Sequence, residues 1–481
     1  MPLLPLALPP QSNKGEYEHA GIAALINCYA MLGGDEQKSK LRIRAASGLD
    51  DIVTVGVSGG VRRLYEVDGV VYGVIGRALV QIDSGGLATI IGGVPSDGYV
   101  GMARNQRDAG VQVMVVCDGL KWTVVGGSQT PINDPDLPPA IDVCVINQSA
   151  IWACSDGRMF RSEINDASAI DGLDVAEAES SPDGLVRVVD RGGELIAIGT
   201  KSTEFFQDIG GEAFGFSRTH TINVGSIGPS AVTKATVMSA AVSDTVAWCA
   251  TDGNGRSAGV VMLQGYQASK ISTPYVDRLI DQVADKGSIV ASAWVERGHG
   301  MIAWRLPTTA IVYDTATQMW HERQSRTSAG AVTTWHVAHT AVLNGRVMAG
   351  HASSPTVYWL DPDVYDEAGD EMVMTIRTPP LNSFPGRVEV SEINVDMLPG
   401  VGLATGAAAD VDPVVSMRYS NDGRTWSNIR TRPLGRQGQT SKRAYWSRLG
   451  THDSVTFEFS CSAAVAREVL SASWDGKVLP R

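Results

Sequence analysis

The most constraining feature of the sequence is a meander of short β-strand patterns that recurs roughly every 40 residues. In its first copy, Val61–Val67, Val70–Ile75, Ala78–Ile82 and Leu87–Ile91 are rich in β-branched residues and separated by turn residues. The first turn is Asp68-Gly69, and Asp-Gly readily adopts the positive φ angles that tight hairpins require. The pattern predicts a four-stranded antiparallel unit built from local hairpins.

Six further meanders follow the first along the chain. They cover Tyr99–Val125, Ile141–Ile164, Leu185–Arg218, Thr245–Ile271, Ser288–Arg323 and Ala331–Leu360. A period of roughly 40 residues with four strands is that of a β-propeller blade. We therefore predict an all-β fold with a propeller of six or seven blades over residues 51–365. Hairpin turns also explain the 52 glycines of the chain.

The segment after residue 365 has a different sequence pattern, without the short repeating hairpins. Its strand-like stretches are Arg387–Met397, Val414–Ser420, Ser441–Leu449, Ser454–Cys461 and Glu468–Trp474. This pattern predicts a second all-β unit, a sandwich-like C-terminal domain over residues 366–481.

Residues 1–50 are predicted to form an extended N-terminal arm and a lead-in to the propeller. Met1–Pro10 is apolar and carries four prolines, which fix φ and favour an extended chain. A basic n-region and a small-residue cleavage site are missing, so we do not expect a signal peptide. Helical periodicity is limited to Gly21–Tyr29 and Tyr275–Ala284, where short helices are predicted.

Composition excludes several classes of function. Lys and Arg number 40 against 52 Asp and Glu, a net charge of −12, whereas proteins that grip nucleic acid or anionic membranes need a basic surface. Six cysteines stand singly, which favours buried free thiols and a reducing compartment over a disulfide scaffold. The sequence also lacks an apolar run long enough to span a membrane.

Candidate metal and catalytic patterns are weak. Asp361, Asp363, Asp366, Glu367, Asp370 and Glu371 form an acidic cluster, but Tyr365 stands where an EF-hand loop needs its third ligand. An interdomain turn is the favoured interpretation, and a looser Ca²⁺ site stays open. His336 and His339 would point to opposite faces of a strand. We therefore predict no cofactor, metal site or catalytic residue, and we assign no binding residues.

A single local motif is more specific. Ser420-Asn-Asp422-Gly423-Arg-Thr425-Trp426 resembles the Asp-box hairpin of sialidase-like propellers, with one residue fewer. In that motif, Ser and Asp side chains brace a tight turn by hydrogen bonds and the Trp packs beneath. The motif leaves open, as the alternative function, a sialidase-like or glycan-cleaving propeller enzyme, which would require an arginine and tyrosine pocket or paired carboxylates on the propeller axis.

Several segments together resemble the packaged-DNA stabilisation, or tail nozzle (tail hub), proteins of short-tailed bacteriophages (podoviruses). They are Leu25–Ala30, Gly48-Leu49, Glu177–Leu185, Gly199–Phe206, Tyr419–Trp426 and Trp446–Gly450. They occur in the same order as in that family and spread over most of the chain.

The resemblance implies a structural virion protein and no enzyme. It implies a homohexameric ring below the portal and adaptor rings, which extends the DNA channel, retains packaged DNA and takes part in DNA ejection. A tail needle and tailspikes or fibres would dock on the ring, and double-stranded DNA would pass through without tight binding. The implied location is the tail of the virion, assembled in the host cytoplasm. A monomeric propeller that acts as a binding module is a third possibility.

Overall fold

A computed structural model describes residues 3–34, 38–107, 110–178, 183–210, 214–239 and 241–480. The N-terminal part contains five short strands, and a 3-10 helix, Glu18–Ala20, lies between the first and the second of them. The five strands are β1 (Leu4–Pro5), β2 (Ala24–Ile26), β3 (Cys28–Leu32), β4 (Leu41–Ala45) and β5 (Gly48–Thr54).

Over the described residues, the chain then forms seven antiparallel sheets in succession, the blades of a propeller. The strands of blades one to four are β6 (Val61–Val67), β7 (Val70–Ile75), β8 (Ala78–Ile82), β9 (Ala88–Gly93); β10 (Val100–Arg107), β11 (Gly110–Cys117), β12 (Leu120–Val125), β13 (Ser128–Pro131); β14 (Ala140–Ile146), β15 (Ser149–Cys154), β16 (Arg158–Glu163), β17 (Asp166–Glu177); and β18 (Leu185–Arg191), β19 (Glu194–Gly199), β20 (Thr203–Asp208), β21 (Phe216–Ile222).

Blades five to seven are less regular. Their strands are β22 (Val224–Ser226), β23 (Val232–Met238), β24 (Val242–Asp252), β25 (Ser257–Gln264), β26 (Gln267–Lys270); β27 (Val290–Glu296), β28 (His299–Arg305), β29 (Ala310–Asp314), β30 (Met319–Arg326), with the short β31 (Val332–Thr334) paired to β30; and β32 (Val337–Leu343), β33 (Arg346–His351), β34 (Thr356–Asp361). Between blades five and six lie helix α1 (Pro274–Asp281) and the 3-10 helix Lys286–Ser288, and a further 3-10 helix, Pro229–Ala231, precedes β23.

The seventh blade closes the ring with a strand from the start of the chain. Strand β5 pairs antiparallel with β34, so that Gly48 lies opposite Asp361 and Thr54 opposite Thr356. The hairpin turns are local, as the sequence predicts: Asp68 and Gly69 have φ angles of 51° and 83°. These values correspond to the primed turn that suits twisted two-residue hairpins. The predicted all-β propeller is thus confirmed, with seven blades.

The C-terminal unit is a β-sandwich. Its strands are β35 (Met374–Arg377), β36 (Leu381–Asn382), β37 (Arg387–Met397), β38 (Val414–Ser420), β39 (Arg430–Pro433), β40 (Ala444–His452), β41 (Ser454–Cys461) and β42 (Glu468–Leu479), and helix α2 (Ala408–Val411) precedes β38. A sheet of order β3-β4-β42-β37-β40, with β1 on β42, faces strands in the order β2-β35-β41-β38-β39. Trp446 and Phe457 are fully buried between the two sheets.

Both ends of the chain build this sandwich. The described residues of segment 1–50, expected as an arm and lead-in, supply β1 to β4 of the sandwich and β5 of the propeller. Leu4 and Pro5 pair with Trp474 and Ser473, so the extended start of the arm lies on its own chain; Met1 and Pro2 lie outside the described residues. Strand β1 lies beyond the end of β4, which pairs with β42 at Val469 and Glu468, while β37 pairs with β42 as well.

The two predicted helices have opposite outcomes. Helix α1 confirms the prediction at Tyr275–Ala284. The helix predicted at Gly21–Tyr29 is wrong, because this segment forms β2 and β3. Asn27 stands between them with a φ of 54°, which no helix accommodates, and both strands have partners far along the chain.

The cysteines and the apolar side chains of the blades are buried, as their residue types predict. All six cysteines are free and buried, as small apolar side chains are expected to be. Hydrophobic side chains of adjacent blades share a core, for example Val74 and Leu79 with Val113 and Val115. Among the described residues, no helix has the length and apolar character needed to cross a bilayer.

Candidate functional site

The propeller and the sandwich meet at a continuous sheet. The outer strand of blade six, β30, runs parallel to β2, with Ile26 opposite Glu322, and the N–H of Asn27 donates to the carbonyl of Glu322 at 2.8 Å. Strand β2 in turn pairs with β35 of the sandwich. Main-chain hydrogen bonds therefore run from a blade into the second domain without interruption.

Asn27 joins three segments at this junction. Its Nδ2 donates to the carbonyl of Gln324 at 2.9 Å and to that of Val373 at 3.1 Å, while its Oδ1 accepts from the N–H of Gln324 at 3.0 Å. The side chain is buried, and buried amides need such partners. Its positive φ suits Asn, whose short polar side chain tolerates the left-handed region.

A carboxylate anchors the lead-in segment to blade six. Glu322 is buried, and its Oε1 lies 2.8 Å from Nζ of Lys14 and accepts from the hydroxyl of Tyr275 at 3.1 Å. Burial and the nearby Glu322 charge raise the pKa of Tyr275 far above its usual range. The contacts tie the N-terminal segment and helix α1 to the same strand.

Two buried arginines complete the junction. Arg467 of the sandwich donates to the carbonyls of Met372 at 2.7 Å, Cys461 at 2.8 Å and Tyr365 at 2.8 Å. Arg323 of blade six donates to the carbonyl of Ser47 at 2.8 Å. The guanidinium groups thus bind segments on both sides of the domain boundary.

The second arginine also has a carboxylate partner. Arg323 lies 3.7 Å from Oε1 of Glu367 and over the ring of Trp335 at 4.5 Å. Burial raises the pKa of Glu367 and lowers the pKa of Arg323, because desolvation disfavours both charges. Both side chains are buried at the boundary between the two domains.

The second site is the axis of the propeller, where the inner strands of the blades surround a cavity of about 520 Å³. Arg63, Asp142, Arg187 and His339 each directly follow a register shift in the inner strand of their blade. A side chain at Gly101 would collide with the carboxylate of Asp142. The shifts and this glycine bring polar side chains to one level of the axis.

A network links three of the axial side chains. The hydroxyl of Tyr99 donates to Oδ1 of Asp142 at 3.2 Å, and Nε of Arg187 lies 3.4 Å from Oδ2. The guanidinium of Arg187 also stands over the Tyr99 ring at 5.3 Å. Burial raises the pKa of Asp142, and burial also raises the pKa of Tyr99 to about 12.

These axial groups bear on the glycan-cleaving alternative. An arginine and a tyrosine do meet on the axis, yet the Tyr99 phenol is protonated at neutral pH, and a nucleophile needs activation by a base or a lowered pKa. Arg187 is held by main-chain carbonyls of Pro229 and Val232. The arrangement offers guanidinium groups for an anion and no activated phenol.

The acidic cluster at residues 361–371 is dispersed over separate ion pairs. Asp361 lies 3.9 Å from Arg346, Asp363 pairs with Arg297, Glu367 with Arg323 and Glu371 with Arg326. Within the described ranges, no group of three or more His, Cys, Asp or Glu side chains could hold a metal ion. The rings of His336 and His351 lie 4.7 Å apart at a tilt of 33°, whereas His339 lines the axial cavity.

The Asp-box turn has the geometry that the sequence predicts. Oδ1 of Asp422 accepts from the N–H groups of Arg424 at 2.8 Å and Thr425 at 2.7 Å, and Oγ of Ser420 accepts from Gly423 at 2.9 Å. These hydrogen bonds hold the pKa of Asp422 well below its usual range. The turn belongs to the sandwich, and its role there is to shape a loop.

That loop also shows where the indole of the motif goes. Trp426 is half-buried, and its indole ring packs against two guanidinium groups, with the ring centroid 4.6 Å from the guanidinium of Arg418 and 5.7 Å from that of Arg377. Both arginines pair with Glu458. The indole therefore caps a pair of cations on the face of the sheet.

A second sequence segment is explained by turn chemistry. Asp183 accepts from the N–H of Lys201 at 2.6 Å and from the N–H of Ser202 at 3.0 Å. It thereby joins the segments Glu177–Leu185 and Gly199–Phe206, of which residues 179–182 lie outside the described residues. These contacts are structural and contain no reactive group.

Sequence reasoning did not single out Arg63, Arg187, Arg323 or Arg467. A signal was present for the first of them, since Val61–Val67 places two arginines inside a blade strand. Charged residues are rarely buried unless they are paired, so a charge in an inner-strand pattern indicates the axis. Arg467 has no comparable local signal.

Comparisons with known proteins cover both domains. A family model described as Bacteriophage P22 Gp10, beta-propeller, matches residues 22–365, and one described as Bacteriophage P22 Gp10, beta-sandwich, matches residues 374–475. A search of curated proteins finds no match.

Solved structures are similar to the chain at a much lower level. Virginiamycin B lyase from Staphylococcus aureus is 12% identical with a TM-score of 0.44, over 65% of this chain and 98% of that chain. A streptogramin B lyase is 10% identical with a TM-score of 0.44, over 65% and 97%. Likeness at this level does not extend to their activities.

Proposed function

The chain belongs to the Bacteriophage P22 Gp10 family of phage structural proteins, and on this premise we propose that it is the nozzle, or hub, of a short phage tail. Six copies form a ring below the portal and adaptor rings. The ring extends the DNA channel, retains packaged DNA and releases it during ejection. A tail needle and tailspikes or fibres dock on the ring, which belongs to the virion and is assembled in the host cytoplasm.

The observation that carries the proposal is the order and extent of the family matches. The propeller and sandwich models together cover residues 22–365 and 374–475, nearly the whole chain. A match to the propeller alone would indicate a fold that hosts many functions. The pairing of the two domains in one chain is the more specific feature.

The junction between the domains supports a role in which the subunit resists mechanical force. Arg467, Arg323, Asn27 and Glu322 are buried at the boundary with protein partners on several segments. A subunit that withstands the pressure of packaged DNA needs domains that do not move relative to each other. Flexible linkage is the usual arrangement where an interface is small and polar, and this boundary is buried and hydrogen-bonded.

The charge of the protein suits a passage for DNA. Each phosphate that a Lys or Arg side chain neutralises adds affinity, and tight binding would slow the passage of DNA. A protomer with a net charge of −12 is compatible with a channel that does not hold the duplex. We therefore expect no stable complex between the isolated protein and double-stranded DNA at physiological salt.

Electron microscopy of virions that carry this protein tests the proposal. We expect six-fold density for the propeller and sandwich directly below the adaptor ring. Density for the protein elsewhere in the virion, or a different symmetry, would refute the nozzle assignment. Light scattering of the protein, with and without the adaptor ring, is the companion measurement of oligomeric mass. Assembly only in the presence of the adaptor ring would mean that the adaptor templates the nozzle ring.

Deletion of the gene tests the retention of DNA. We expect heads that fill with DNA and then lose it, and complementation with the wild-type gene should restore stable particles. Heads that keep their DNA without the protein would contradict the stabilising role. Release of sugars from a host glycan by the purified protein would instead support the glycan-cleaving alternative.

A further inference from the structure

The axial cavity is locally basic in an acidic protein. Its volume of about 520 Å³ lies within the range of small-molecule sites. Four cationic and two anionic side chains line it, namely Arg63, Arg104, Arg187 and Lys234 with Glu66 and Asp190. The chain as a whole carries −12, so the cavity has the opposite sign to the average surface.

Three of the four cations already have protein partners. Arg104 lies 3.0 Å from Asp68, and Lys234 lies 3.4 Å from Asp190. Arg187 binds the carboxylate of Asp142 and two main-chain carbonyls. These pairs explain the position of each side chain without a ligand.

Arg63 is the exception. Among the described residues its side chain makes no hydrogen bond and no ion pair, and its Nε is buried without a partner. Burial lowers the pKa of Arg63, and the nearby Arg187 lowers it further. The side chain is partly exposed and its Nε is buried; an unpaired guanidinium with a desolvated nitrogen is unfavourable, and a bound anion would lower this cost.

The neighbours of Arg63 on the axis suit an anion that accepts hydrogen bonds. His339 lies at the equivalent position of blade seven, directly after the register shift of its strand. Burial and the charges of Arg63 and Arg187 lower the pKa of His339 to about 3, so at neutral pH the imidazole is an uncharged hydrogen-bond donor. Asp142, the carboxylate at this level, is occupied by Tyr99 and Arg187.

We propose that the axial cavity binds a small oxyanion, a carboxylate or a phosphate, through the guanidinium of Arg63. Guanidinium groups bind both oxyanions with two parallel hydrogen bonds, and the remaining cations of the lining raise the local concentration of anions. The site does not depend on assembly of the six-subunit ring, because every group that lines it belongs to one chain.

Calorimetric titration of the purified full chain tests the proposal. Inorganic phosphate and citrate are titrated separately, each against a chloride buffer of matched ionic strength. We expect saturable binding of at least one of them, and the stronger of the two identifies the class of anion. An absence of binding by both, beyond the effect of chloride, would overturn the proposal.

Matched variants locate the site. Arg63→Gln should weaken binding by at least about tenfold, as expected for the loss of a charged hydrogen-bonding partner. Arg104→Gln removes a charge from the same cavity that is already paired with Asp68, and should change the affinity by less than about threefold. Equal affinities of wild type and Arg63→Gln would overturn the assignment.

A conservative variant keeps the test decisive if Arg63→Gln does not fold. Arg63→Lys retains the charge and loses the planar fork, so we expect folded protein with weaker binding than wild type. Undiminished affinity of Arg63→Lys for both anions would contradict recognition by the guanidinium. Melting curves of each variant without added anion report folding separately from binding.

Discussion

The junction and the axis both contain arginines inside the fold, with Arg467 buried and Arg63 partly buried, and the two side chains differ in their partners. Both have a buried Nε without a partner. The terminal nitrogens of Arg467 at the junction donate to three main-chain carbonyls, whereas those of Arg63 on the axis make no hydrogen bond or ion pair among the described residues. A buried charge that the protein satisfies itself holds segments together. A charge that the protein leaves unsatisfied is free to bind something else, so the comparison separates a structural site from a binding site.

The two regions also differ in how the chain builds them. Junction contacts join distant parts of the sequence, such as Asn27 with Gln324, 297 positions apart. Axial residues come from equivalent positions of different repeats, namely blades one, three, four and seven. Substitutions at the junction should therefore reduce stability strongly, and substitutions on the axis should affect it little.

The largest effect is expected for Arg467→Met. The substitution leaves three carbonyls without their donor in a buried position, which should cost about 3–5 kcal/mol of unfolding free energy. Urea unfolding followed by circular dichroism measures the change. Arg443→Met, at an exposed position, is the matched control and should stay near wild type. A loss below about 1 kcal/mol for Arg467→Met would remove the distinction between the regions.

Asn27→Ala should come next. It deletes hydrogen bonds to Gln324 and Val373 and places Ala at a positive φ, for an expected loss of about 2–4 kcal/mol. The exposed Asn428→Ala controls for the loss of an amide. Differential scanning calorimetry should also show whether the propeller and sandwich separate into two transitions. One unchanged transition in Asn27→Ala would argue against its role as a joint.

His321 makes the junction sensitive to acid. Burial, followed by the charge of Arg323, lowers the pKa of His321 to about 3, so between that value and pH 6.5 the unfolded chain binds more protons than the folded one. The unfolding free energy must then fall as pH drops through this window, by up to about 1.4 kcal/mol per pH unit. His321→Gln should flatten this slope between pH 6.5 and 5.

The control for this pH dependence is His19→Gln. His19 is exposed, so its replacement should leave the slope of the wild type unchanged. Unfolding free energies at several pH values in the same urea series provide the measurement. An unaltered slope in His321→Gln would show that other groups dominate the acid response.

The smallest effect is expected on the axis itself. Lys234→Met breaks an ion pair with Asp190 at 3.4 Å, in which the lysine side chain is 53% exposed. Exposed pairs contribute less than about 1 kcal/mol, so the melting temperature should change little. A loss comparable to that of Arg467→Met would mean that axial charges are as structural as those of the junction.

Local features of the fold could be read from the sequence. The Asp68-Gly69 hairpin and the Asp422 turn depend on residues within a few positions of each other, and their geometry is set by φ preferences and side-chain hydrogen bonds. The meanders likewise indicated the propeller, because each blade is a contiguous stretch of chain. These predictions needed no knowledge of distant partners.

Long-range features could not be read in the same way. The apolar period of Gly21–Tyr29 fits a helix, but β2 and β3 are held by β35 and β4, and tertiary pairing overrides local propensity. The same limit applies to Arg63, whose missing partner is visible only when the blades surround it. A sequence shows that a charge lies in a strand, and not what faces it.

The sequence by itself determined an acidic, all-β chain with a repeating propeller and a second β domain, because hairpin turns and strand alternation are local properties. Only the tertiary structure decided that both chain ends build the sandwich, that Arg467 closes the junction and that Arg63 lines the axial cavity. These depend on pairing between segments hundreds of residues apart, and the closure of a ring settles which backbone groups and charges find partners.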